Sequence, residues 1–273
     1  MRQLFALLTV ACLWPIGDGV RTEAFPSTLR PQGATGTPVP VLLELFTAEG
    51  CSSCPPADTL LEKLIESQPA AGVQIVGLGE HVDYWDRLGW KDRFSSALLT
   101  ARQQKYASRS KGADVYTPQM VVDGQDAFVG SDLAAARRAI ERAVAGPHGS
   151  VRIAIDETAA NVAHVAVTVA SLPASAAGDR ADLLVAITED RLRTEVKRGE
   201  NQGRTLAHAA VVRDLRTVAE GVRSSSAAET TIKLASDWAR PNLKVVAFVQ
   251  ERGSRRVLAT AVAAIAGGSS ARR

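Results

Sequence analysis

From residue 39 the chain alternates between short apolar runs and longer amphipathic stretches. "VPVLLELF" (39–46) is almost continuously apolar, the pattern of a strand buried on both faces of a sheet. Ala57, Leu60, Leu61, Leu64 and Ile65 then recur at intervals of three and four, which predicts a helix with one apolar face. "VQIVGLG" (73–79) predicts a second buried strand. A polar and aromatic segment (80–94) follows, and a second helix is expected over residues 95–110. "TPQMVVDGQDAFVG" (117–130) holds two apolar runs joined by Asp123-Gly124, a strong hairpin signal. "SDLAAARRAIERAVA" (131–145) closes the series as a helix capped by Ser131 or Asp132, with Leu133, Ala136, Ile140 and Val144 on one side.

The order strand, helix, strand, helix, hairpin, helix over residues 39–148 predicts an α/β domain with a mixed sheet and helices on both faces. "GPHGS" (146–150) reads as a domain boundary. Beyond it several runs, such as "VRIAID", "VAHVAVTVA" and "LKVVAFVQE", alternate apolar with polar residues, which predicts a small β-sandwich domain over residues 149–266. "RTLAHAAVVRDLRTV" (204–218) is expected to interrupt those strands as a helix or loop, and residues 267–273 to form a tail.

The N-terminus changes the picture of location. "MRQLFALLTVACLWPIGDG" has one early cation, an apolar run from Leu4 to about Ile16 and then small and polar residues, the layout of a secretory signal over residues 1–24. That run is too short to span a bilayer comfortably, so no stable membrane span is expected. Lipid attachment at Cys12 is the less favoured alternative, because Thr9 is a poor match to the usual leucine. Residues 25–38, rich in Pro, Gly, Ser and Thr, read as a linker, and the mature protein is expected to be periplasmic or secreted. With 32 basic against 29 acidic residues and one short basic run, "RGSRR", no nucleic-acid partner is expected.

Export makes the cysteine count informative, since cleavage leaves only Cys51 and Cys54 of the three. A bridge closing so small a loop removes little unfolded-chain entropy, so reactivity is the better reason for the pair. At a strand-to-helix junction, unpaired N–H groups and the helix dipole favour a thiolate on Cys51, and Cys54 lies close enough to resolve a mixed disulfide. Cys51 is then expected to be the more accessible sulfur and Cys54 the shielded one. A structural zinc site needs two further ligands, and no second cysteine pair exists.

Three readings stay open: a reversible disulfide, an interaction module whose bridge locks a loop, and a binding protein with a soft-metal site at Cys51, Cys54 and His81 that favours copper(I). His81 is a candidate because it follows the second strand, at the sheet edge where reactive groups of open α/β folds gather. Tyr84, Trp85, Trp90 and Phe94 read as hydrophobic anchors. Glu200, Asn201, Gly203 and His208 read as a turn with its hydrogen bonds and not as a second active site.

"ELFTAEGCSSCPPAD" (44–58) together with "TPQMVVDG" resembles a thioredoxin-like domain. With "HVDYWDRLGWKD", "YTPQMVVDG" and "GENQGRTLAH", nearly the whole mature chain resembles an uncharacterised family of secreted bacterial proteins with that fold. The resemblance implies an exported thiol–disulfide oxidoreductase acting on protein thiols or disulfides, without a cofactor. It implies that Thr117 and a cis Pro118 lie opposite the cysteines, and that Glu44 is a buried acid serving Cys54. There are departures. Two serines separate the sulfurs, and one extra residue stands between Glu44 and Cys51. Pro55-Pro56 removes two N–H donors, so either the helix starts at the prolines, with Cys54 at or near its cap, or its first turn is distorted.

Overall fold

The structure, a computed structural model, describes residues 37–68, 72–109, 114–159 and 161–265. The expected signal, Cys12, all but the end of the linker, and the C-terminal tail lie outside them.

The first half runs β1 (Val39–Thr47), α1 (Pro55–Ser67), β2 (Val73–His81), α2 (Ala97–Ala107), β3 (Gln119–Val122), β4 (Asp126–Val129) and α3 (Leu133–Ala145). β1 pairs in parallel with β2 and antiparallel with β3, and β3 turns back into β4. Alternation along β1 sends its side chains to two cores. Leu43 and Leu45 pack with Ala57, Leu61 and Leu64 of α1 and Ile140 of α3, whereas Leu42 packs with Leu99 of α2. Helices therefore cover both faces, which is why β1 reads as a continuous apolar run. α2 is capped by Ser96, whose hydroxyl accepts the Leu98 N–H, and α3 by Asp132, which accepts the Ala135 N–H.

The second half, apart from one short 3-10 turn at Arg240–Asn242, is made of strands: β5 (Ser150–Ala159), β6 (Val162–Ser171), β7 (Ala181–Glu189), β8 (Leu192–Glu195), β9 (Thr205–His208), β10 (Val211–Ala219), β11 (Ser226–Lys233), β12 (Leu243–Glu251) and β13 (Val257–Ala264). β11, β6 and β5 make a three-stranded sheet that packs through Val165, Val167, Val169 and Ile232 on Leu183, Val185, Ile187, Val245 and Val249. β7, β10, β12 and β13, however, extend the sheet of the first half, giving eight strands in the order β13-β12-β7-β10-β2-β1-β3-β4. The sheet thus runs across residues 146–150, the stretch read as a domain boundary. The join is β10 against β2 at Val211 and Gly79. A side chain at Gly79 would stand 2.9 Å from the Ala209 carbonyl, so the glycine permits the approach.

The expectation of a helix or loop over residues 204–218 is corrected: they form β9 and β10. Val211, Val212 and Leu215, spaced as on a helix, are held in the sheet by pairing with β2 and β7.

Candidate functional site

Cys51 and Cys54 are joined by a disulfide with Cα atoms 5.4 Å apart. α1 begins at the two prolines with Cys54 as its N-cap, and the Cys54 carbonyl accepts from Ala57 and Asp58 N–H. The prolines thus occupy positions whose N–H groups would be unpaired in any helix. The expectation of an exposed Cys51 is not met: both sulfur residues are 0% exposed. They sit in an apolar cluster with Phe46, Val82, Tyr106 and Val121, flanked by Tyr84 and Trp85.

Trp85 links the cysteine loop to the Thr117-Pro118 step. Gly50 backs onto its side chain, and its indole N–H donates to Thr117 Oγ1 at 2.8 Å. The Thr117-Pro118 peptide is cis, and the Pro118 carbonyl accepts from Gly130 N–H at 2.9 Å.

Glu44 points away from this loop, into α2. Its carboxylate takes the Arg102 Nε–H at 2.6 Å and the Tyr106 hydroxyl, and Arg102 also reaches Glu80 at 3.2 Å and Gln250 at 3.0 Å. Burial and the adjacent Glu44 push the Glu80 carboxyl well above the usual range. Burial works against the Arg102 charge, but Glu44 overrides it and holds the guanidinium protonated. Glu44 therefore touches the disulfide cluster only through Tyr106.

His81 faces the other side of the sheet. Its Nδ1 lies 2.6 Å from Asp92 Oδ2, which also accepts Glu49 N–H at 2.8 Å. Burial opposes the imidazolium, yet Asp92 outweighs it and raises His81 above its ordinary pKa; reciprocally, burial is outweighed at Asp92, which is held below its own. His208, from β9, stacks edge-on to His81 with ring centroids 4.9 Å apart, and its Nε2 lies 3.5 Å from Glu49 Oε1. That distance is too long for a hydrogen bond, and both His208 nitrogens and Glu49 Oε1 are buried without one. Glu49 Oε2 accepts the Trp90 indole N–H at 2.7 Å. Asp58, one turn beyond Cys54 on α1, joins this cluster: burial raises its carboxyl, while His208 and His81 pull it down.

Residues 199–204, read as a remote turn, lie on the cysteine loop. The Asn201 amide donates to the carbonyls of Glu49 and Cys51, at 2.9 Å each, and Glu200 accepts Ser52 N–H at 3.1 Å. Glu49, Asp58 and Asp92 were missed as neighbours of the cysteine loop, and Asn201 was read only as a turn residue. Asp58 alone carried a local signal, its position four residues after Cys54 on an apolar helix. Among the described residues no three His, Cys, Asp or Glu side chains converge as a metal centre, and His81 is committed to Asp92. No described helix is long and apolar enough to cross a membrane.

A family model described as a protein of unknown function, DUF1223, matches residues 42–250. The chain belongs to this family. The match runs from β1 to β12 and so spans the cysteine loop, the Thr117-Pro118 step and residues 199–204. A crystal structure of the Agrobacterium tumefaciens protein AGR_C_4864 is 26% identical, covering 86% of this chain and 97% of that one with a TM-score of 0.61. A domain of the outer membrane lipoprotein Omp28 from Porphyromonas gingivalis is 17% identical over 44% of this chain and 88% of that domain, with a TM-score of 0.32. No curated protein matches.

Proposed function

We propose that this DUF1223 protein is an exported thiol–disulfide oxidoreductase whose first half is a thioredoxin-like unit. The observation that carries the reading is a Cys51–Cys54 disulfide at the mouth of α1, tied through Trp85 to a cis Thr117-Pro118 step. In the reduced protein the Cys51 thiolate attacks a partner disulfide, forming a mixed disulfide and releasing one partner thiolate. Cys54 then attacks Cys51 Sγ, which restores the internal bridge and releases the second partner thiolate. Run backwards, the same two exchanges oxidise a partner dithiol. Asp58, four residues after Cys54 on the same helix, is a better proton partner for Cys54 than Glu44, which Arg102 holds. Complete burial of both sulfurs favours a second reading, a bridge that only locks the loop.

Equilibration in glutathione buffers of graded redox ratio, followed by alkylation and mass measurement, separates the two. The redox reading expects the bridge to follow the buffer, Cys54→Ser to carry one glutathione at Cys51, and Cys51→Ser to carry less than about a tenth as much. A folded protein whose bridge ignores every ratio is a locked loop.

A further inference from the structure

β8 and β9 pair only with each other, as a hairpin outside both larger sheets. Its tip, residues 196–204, holds its own shape. Val196 N–H donates to the Arg204 carbonyl and Gly203 N–H to the Val196 carbonyl, at 2.9 Å each. Gly199 and Gly203 take left-handed φ values of 76° and 81°, which cost a side-chain-bearing residue more than glycine. From this tip two side chains reach the cysteine loop. Asn201 is 0% exposed, and its amide nitrogen serves the carbonyls of Glu49 and Cys51. Glu200 is exposed and serves Ser52 N–H, a contact that holds its carboxyl below the usual range. Three backbone groups around the disulfide are thus satisfied by side chains 148 to 152 positions further along the chain.

We propose that Glu200 and Asn201 are positioning residues of the cysteine pair, and that the hairpin tip is the cover a partner displaces to reach Cys51. Exchange at a disulfide requires the attacking atom to reach the sulfur, and Cys51, whose carbonyl Asn201 holds, offers no exposed surface. Lifting the tip is inexpensive. The sequence "VKRGENQGR" (196–204) has one apolar residue, Val196, so opening breaks a few hydrogen bonds and uncovers little apolar surface. The movement is confined to residues 196–204: β9 stays packed through buried Leu206 and His208, and the eight-stranded sheet stays intact. The partner's identity rests on the oxidoreductase reading; the proposed cover does not.

The test is the rate at which the water-soluble phosphine tris(2-carboxyethyl)phosphine reduces the bridge in the folded full-length protein. The phosphine attacks one sulfur, the S–S bond breaks, and water supplies the oxygen of the phosphine oxide and the two thiol protons. Losing both amide donors in Asn201→Ala should raise the rate by about tenfold or more, and Glu200→Ala by about threefold with an unchanged melting temperature. Asn201→Asp keeps the side-chain shape but turns a carboxylate on two carbonyls, so it should react at least as fast as the alanine variant; a role in packing alone would leave it near the native rate. Rates within about twofold of native in all three would overturn the proposal, and if Asn201→Ala does not fold, the Glu200→Ala rate decides alone. Faster phosphine reduction together with no response to glutathione buffers would sink the oxidoreductase reading and leave the cover standing.

Discussion

Arg102→Met should lower the unfolding free energy by about 3–5 kcal/mol in urea denaturation at neutral pH. Arg102 is 5% exposed and is the cation that faces Glu44 and Glu80, both 0% exposed. Burial and the adjacent Glu44 hold the Glu80 carboxyl well above the usual range. Glu44 then loses its ion-pair partner and keeps one hydroxyl donor, Tyr106. Removing one partner of a buried pair is much more costly than the pair is worth, because the desolvated survivor is left behind. Adding Glu44→Gln to the variant should recover a large part of the loss. A single-variant loss below about 1 kcal/mol would mean that the network is wetter or more plastic than its burial indicates. The same network spans the chain: Gln250 of β12 hydrogen-bonds Arg102 and the Tyr106 hydroxyl, so the loss should also weaken the hold of the second half on the first.

Asp123→Asn should make stability less dependent on pH and should stabilise the protein most above neutrality. Asp123 has a left-handed φ of 43° and accepts Leu42 N–H at 2.8 Å. Burial pushes its carboxyl up to about 7, with the Leu42 N–H opposing and Glu44 adding to the shift. A folded-state pKa above the ordinary 3.8 means that the fold holds this proton more tightly than the unfolded chain does. Its stabilising contribution is complete below 3.8 and is lost as pH rises to about 7. At about 1.4 kcal/mol per unit the interval amounts to at most about 4 kcal/mol. Asparagine keeps the acceptor for Leu42, tolerates the left-handed backbone and does not titrate. Urea denaturation of both proteins at about pH 4 and about pH 7.5 should show the variant gaining several kcal/mol on the native chain between them. A gap that does not change with pH would show that Asp123 ionises normally.

These residues also mark where local pattern stops being informative. The two-sided run of β1, the apolar faces of α1 and α3, and the Asp123-Gly124 turn were legible in the sequence because each is set by neighbours within a few positions: the side-chain period, a cap, a left-handed turn residue. The cysteine pair at the strand-to-helix junction and its prolines were legible for the same reason, and α1 begins where the prolines require. Glu44 was not, because one residue of register decides which face of a strand a side chain takes, and only the packing of α2 shows that its face belongs to Arg102.

Residues 204–218 failed for a related reason. Their apolar spacing suits a helix in isolation, and the pairing of Val211 with Gly79 in a distant strand makes them sheet. The chain by itself therefore determined the elements of the first half and which two cysteines pair. Tertiary structure alone decided that the halves share one sheet, that His208 meets His81, and that Asn201 hydrogen-bonds the Cys51 carbonyl, because each depends on partners more than a hundred residues apart, for which a single sequence has no period.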